Sequence, residues 1–212
     1  MGPHAGDPAA VRAPGTTRRL AVAGLAASLA ACARQGGAGS GSVPAVAADP
    51  GGGPPSPAGL GLQPGSDPVF ASLLHTQSAF AAPASRIGRN LPYAARLSGM
   101  YEYLVAMMWE PRFLAMAAVV QPSLALGRAQ LREVLGLGPG LAPDTVIRAL
   151  AAAAAALDRG DRAAAERALA AAAPEPARTL ATLGALPAMP AVTNSLALTQ
   201  RAWSVYIDGD WP

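Results

Sequence analysis

The residues of this 212-residue chain whose types suit them to chemistry are few and scattered. There is one cysteine, Cys32, and there are two histidines, His4 and His75; all sixteen basic residues are arginine. Without lysine the phosphate-cradling GxxxxGK[ST] loop is excluded. His75 stands in "SLLHTQS" with no GxSxG or comparable nucleophile context, so a lone histidine on a helix reads as a bystander. No HExxH or CxxC spacing offers zinc its ligands, and "DGD", Asp208 to Asp210, supplies too few oxygens for a calcium loop. We therefore expect no metal and no cofactor, and we assign no catalytic residue.

Carboxylates are the remaining chemical possibility. Glycan cleavage needs an acid and a second carboxylate some 5 to 10 Å apart. Glu102, flanked by tyrosines in "YEYL", is a candidate for partial burial with a raised pKa. Glu110 lies eight residues on along what reads as continuous helix, about 12 Å of rise away, so another helix would have to supply the partner.

Aromatic residues offer a binding surface as the alternative. All ten fall between Phe70 and Phe113 or between Trp203 and Trp211. Trp109, Phe113, Trp203, Tyr206 and Trp211 are the candidates for a groove or partner surface, against the simpler expectation that large side chains at helical spacing build the core. Nucleic acid is not an expected partner: from Cys32 onward 13 arginines face 12 acids, without the basic patch that phosphate-backbone binding requires.

Cys32 closes an apolar run. Arg18 and Arg19 are followed by Leu20 to Ala31, twelve residues without a charge, too short for a spanning helix and suited to the apolar region of an export signal. "LAAC", Leu29 to Cys32, resembles the lipobox of bacterial lipoproteins. That resemblance covers residues 1–32 only. It implies cleavage before Cys32, a diacylglyceryl group on its thiol, acylation such as palmitate on the new amino terminus, and a membrane partner reached through the lipid. Two or three acyl chains anchor stably where one does not. The chain is then expected on the periplasmic side of the cell envelope, with Ala33 after the cysteine favouring the outer over the inner membrane.

The elements downstream follow from composition and period. Residues 33–66 hold sixteen Gly or Pro, no aromatic residue and no period of 3.6 or 2, which predicts a disordered linker from Cys32 to Ser66 with a reach of roughly 30 to 35 Å. From residue 67 to 212 the pattern predicts an all-α domain, an irregular bundle of about six or seven helices. Asp67 and Pro68 open the first, with Val69, Phe70, Leu73, Leu74 and Phe80 toward one face, and Pro83 stops it. "NLPYAARLSGMYEYLVAMMWE" is the strongest helical signal, through Leu97, Met100, Tyr101, Leu104, Val105 and Met108. Pro111 and Pro122 are each expected to begin a further helix, the second leaving through Gly136 and Gly138. Pro143 to Leu157 and the segment after Asp161 form an Ala-rich αα-hairpin turning at Gly160. Helices from Pro176 to Leu183 and from Pro190 to Val205 complete the domain; "SVYID" is the one stretch that alternates as a strand does, too little to found a sheet.

Leu104 to Val120 is apolar in bulk, yet Glu110, Pro111 and Arg112 interrupt it, which is costly at bilayer depth. The expected function is that of a membrane-anchored envelope lipoprotein acting as a non-enzymatic scaffold or interaction module with an envelope protein partner. A cell-wall glycan or peptide hydrolase, or a small-molecule binding module with an aromatic-lined groove, is the alternative.

Overall fold

The computed structural model describes residues 55–208. Cys32, Trp211, Asp210 and the leader and linker up to residue 54 lie outside the described residues. Residues 55–208 belong to one compact unit. Among the described residues every regular element is helical, with no strand. They are α1 (Pro68–Phe80), the single turn α2 (Pro83–Arg86), α3 (Leu91–Met107), a 3-10 turn (Pro111–Phe113), α4 (Leu114–Leu135), α5 (Pro143–Asp158), α6 (Arg162–Leu169), α7 (Pro176–Leu183) and α8 (Pro190–Asp208). The one-turn α2 is the element beyond the expected six or seven.

Local chemistry sets most of these boundaries. The Asp67 carboxylate accepts from the Val69 and Phe70 N–H groups at 2.8 and 3.0 Å, and Pro68 follows where a missing N–H costs nothing. Asn90 caps α3 through Tyr93 N–H, and Asp161 caps α6 through Ala164 N–H. Gly136 closes α4 in the left-handed region at φ 66°, and Gly160 turns the α5–α6 hairpin at φ 74°.

α3 is the central element. It packs against α1 on one side, α5 on another and α4 on a third, so that Ala94 to Val105 is buried almost without interruption. α5 presents Val146, Ile147, Leu150 and Ala154 to it, and small residues let the two helices approach closely. α8 runs antiparallel along α4 and also touches α1: Gln130 meets the start of α8, and Phe113 meets Trp203 near its end. The first helices and the last one thus share a core, and the Ala-rich hairpin docks on it from the α3 side.

Three expectations are corrected. Pro122 does not begin a helix but lies inside α4. The carbonyl deprived of its donor belongs to Ala118, an exposed residue, where solvent can take the place of the lost partner. Leu74 does not join the apolar face of α1; Ser72 and Thr76 are buried there instead, Thr76 Oγ1 donating to the Ser72 carbonyl at 2.6 Å. "SVYID", too short to found a sheet, is helical as the all-α reading has it, the end of α8. Finally, the end of the expected linker belongs to the fold. Leu60, between Gly59 and Gly61 at φ 79° and 78°, is fully buried against α3, where a Cβ on Gly99 would stand 2.7 Å from Leu60 Cδ2. A single leucine held in a glycine turn leaves no periodic trace.

Among the described residues no single helix is long and apolar enough to cross a membrane. α3 and the segment Pro111–Leu135 pass that test only as a pair, and they are bent by 83° at Glu110 and Pro111.

Candidate functional site

α4 carries two features that run against the ordinary distribution of polar and apolar groups, one at its inner end and one along its outer face. At the inner end Glu102 of α3 is fully buried. Arg132 grips it with both arms of its fork, Nε to Oε1 at 2.7 Å and Nη2 to Oε2 at 2.8 Å. The remaining arm, Nη1, donates to the carbonyls of Pro139 and Leu141 at 3.0 and 2.9 Å, tying the α4–α5 loop to the cluster. Arg128 Nε stands 3.2 Å from Glu102 Oε2, without the alignment of a hydrogen bond. Burial pushes the Arg128 guanidinium down, Glu102 pulls it back up, and the like charge of Arg132 adds to the lowering.

Beside this cluster the Tyr101 hydroxyl lies 2.7 Å from Ser195 Oγ, which itself donates to the Val192 carbonyl at 2.8 Å. Gly127 makes room for that phenol: a Cβ there would fall 1.9 Å from the Tyr101 oxygen. Burial, and then the neighbouring Glu102 charge, push the Tyr101 phenol up, against the opposing effects of the Ser195 hydrogen bond and Arg128. The group stays a neutral phenol.

Glu102 and Glu110, the two carboxylates singled out, are not brought together. Glu102 faces two arginines, whereas Glu110 lies beyond the end of α3 and pairs with Arg112 at 2.8 Å. The two do not share one continuous helix, because the chain turns at Pro111. Nor do three of His, Cys, Asp or Glu gather anywhere among the described residues. His75 is exposed at the edge of a shallow depression of about 350 Å³ that also takes in Gln63, Ser66 and Tyr93.

The aromatic candidates divide. Phe113 and Trp203 are core: their rings are tilted by 44° with centroids 5.2 Å apart, and the Phe70 ring lies 5.1 Å from that of Trp203. The Trp203 Nε1 is buried without a hydrogen-bond partner among the described residues. Trp109 is 54% exposed at the α3 corner, and Tyr206 is at the surface, its hydroxyl donating to the Arg112 carbonyl at 2.8 Å. Of the five, two are interior, two are at the surface, and Trp211 lies outside the described residues.

The outer face of α4 is the feature that the aromatic search missed. Ala115, Ala118, Pro122, Ala125 and Ala129, spaced three and four apart, are all exposed. Leu114, Val119 and Leu126 flank them at 58%, 48% and 68% exposure. The charges that bound the stretch are Arg112, which is held by Asp67 and Glu110, and Glu133. Between them the one charged residue on α4 besides Arg132 is Arg128, turned inward toward Glu102. Isolated exposed apolar residues are ordinary; a continuous helix face about 22 Å long without a charge is not. The sequence signal was available in the uncharged run from Leu114 to Gly127, but Pro122 disguised it as two short helices.

The chain matches no protein-family model, no curated protein and no solved structure, so this geometry and the sequence are what a functional reading rests on.

Proposed function

We propose that the protein is a membrane-anchored envelope lipoprotein, held through acylated Cys32 on the periplasmic side of the cell envelope, whose helical domain is a non-enzymatic interaction module. The observation that carries the anchor is the placement of the one cysteine at the end of an uncharged twelve-residue run, in "LAAC". The uncharged outer face of α4 supports the interaction role, because a buried partner is what gives such a surface its use. Ala33 favours the outer membrane. The domain would then stand beside the bilayer on the linker after Cys32.

Intact-mass analysis and membrane fractionation of the native chain beside Cys32→Ser test the anchor. The native protein is expected in the membrane fraction, with a mass that reports cleavage before Cys32 and added acyl chains; Cys32→Ser is expected to lose both. A native chain without lipid would overturn the reading.

A further inference from the structure

We infer that residues 56–66 are a releasable strap: Leu60 plugs a socket between α3 and α5, and its withdrawal frees the segment from the domain while the helices stay folded. The strap is fastened at one point. Of its eleven residues Leu60 alone is buried, Pro57 and Leu62 are half-buried, and the other eight are exposed. Its hydrogen bonds stay within it: Leu60 N–H donates to the Pro57 carbonyl at 3.2 Å, Ala58 N–H to Ser56 Oγ at 3.2 Å, and Ser66 Oγ to the Gln63 carbonyl at 2.9 Å. Release therefore breaks no hydrogen bond between the strap and a helix among the described residues. It exposes one leucine and part of a second, which is the pattern of a segment that opens well before the whole domain unfolds.

The socket is shaped for this side chain and stands without it. Leu60 lies over Gly99 of α3, where a Cβ would fall 2.7 Å from Leu60 Cδ2 and 3.6 Å from Leu150 Cβ of α5. A Cβ on Gly59 would come within 3.2 Å of Ala151 Cβ, and one on Gly61 within 3.3 Å of Arg96 Cδ, so the glycines on either side let the strap backbone down onto the two helices. The walls hold each other: α3 and α5 pack together through Leu150 and Ala154, and Arg96 pairs with Asp158 across them. Beside the plug the fit is loose, and a depression of about 670 Å³ is lined by the strap together with Pro68, Arg96 and Ala155.

Release changes reach. The freed strap spans up to roughly 35 to 40 Å when fully extended, and about 17 to 20 Å as a root-mean-square distance. With Cys32 acylated, as proposed above, that length is added between the bilayer and α1, but the strap itself does not require the anchor.

The test uses the full chain carrying Cys32→Ser, so that lipid plays no part. The thiol of Leu60→Cys is expected to react with a soluble disulfide reagent at least about tenfold more slowly than that of the exposed Ala58→Cys, and at least about a hundredfold faster than that of Ser98→Cys, buried in α3. Spin labels on Ser56→Cys and Ala152→Cys, the latter exposed on α5, are expected to give one narrow distance distribution. Adding Leu60→Ser should broaden it and extend it by roughly 10 Å or more, while melting of the helices stays cooperative and falls by no more than about 5 °C. A native distribution already as broad as that of Leu60→Ser would show that the strap is not fastened, and one that stays narrow in Leu60→Ser that Leu60 is not the fastener. A Leu60→Cys thiol as protected as that of Ser98→Cys, or a domain that unfolds with Leu60→Ser, would make the segment an integral part of the fold. Each of these results would overturn the inference. Absence of lipid in the fractionation experiment, with the strap behaving as expected, would count against the anchor alone.

Discussion

The inner end and the outer face of α4 are opposites. Inside, a carboxylate and two guanidinium groups are withdrawn from water; outside, leucine, valine and alanine are left in it. The difference shows how one helix is partitioned between holding the fold and leaving a surface unpartnered. Buried ion pairs seldom add much net stability over an apolar core of the same shape, yet removing one member leaves a charge stranded. Exposed apolar residues cost little in the monomer and become useful when covered. Substitutions at the two places should therefore differ sharply in what they damage.

The largest effect is expected at Glu102. Glu102→Gln leaves Arg132 and Arg128 without their carboxylate and should destabilise the domain by about 3 to 5 kcal/mol, a fall of roughly 10 °C in melting temperature. A loss below about 1 kcal/mol would mean that the cluster is open to water. Next comes Gly127→Ala. Its Cβ would collide with the Tyr101 phenol and approach Ser195 Oγ at 2.9 Å. A loss of about 1 to 3 kcal/mol is expected by denaturant titration, and pairing it with Tyr101→Phe, which removes the colliding oxygen, should recover part of it.

The outer face should respond in the other direction. Proline is about 3 kcal/mol less favourable than alanine inside a helix, and nothing among the described residues packs on Pro122 to exploit its shape. Pro122→Ala is expected to raise monomer stability by about 1 to 2 kcal/mol, since the helix has adapted in part to the ring. A destabilised monomer would show that Pro122 shapes the packing of α4 on α8, and would blur the contrast between the two regions.

The smallest effect is a pH dependence at the corner that joins them. Burial raises the Asp67 carboxyl, but the Phe70 N–H, Arg112 and the Val69 N–H together outweigh it and hold the group below its ordinary value of 3.8. A carboxyl lowered in the folded chain contributes stability that is present above its unfolded value and is lost as pH falls through the folded one. Asp67→Asn, which keeps an acceptor for the cap, should be less stable than the native chain at neutral pH. The gap should close as pH falls below 3.8, followed by thermal melts across that range. A gap that persists in acid would place the cap hydrogen bond, not the charge, at the origin of the effect.

How much of this the sequence disclosed varies with the kind of signal. Asp67, Asn90, Gly136, Asp161 and Pro176 mark boundaries that the structure reproduces closely, because caps and helix-opening prolines act within four residues of themselves. The stripe through Leu97, Met100, Tyr101, Leu104 and Met108 was legible from its period and is buried as expected. Pro122 misled because the local rule treats an interior proline as a boundary, whereas here it and Ala118, four residues before it, both lie on the exposed side of α4. Glu102 was picked out as a partly buried carboxylate beside aromatics, and it is buried, but its partners Arg128 and Arg132 lie 26 and 30 residues away and leave no local mark.

By itself, then, the sequence determined helical class, the order of the elements, the turn at Gly160 and the singular position of Cys32, since each depends on backbone preferences or on composition over short windows. The tertiary structure alone decided that Glu102 meets arginines and not a second carboxylate, that Leu60 is drawn into the core, that Phe113 and Trp203 turn inward while Trp109 does not, and that the face of α4 from Leu114 to Ala129 is left uncovered. The physical reason is that burial, ion pairing and exposure are set by which helices pack together, and that choice is made by contacts distant in the chain.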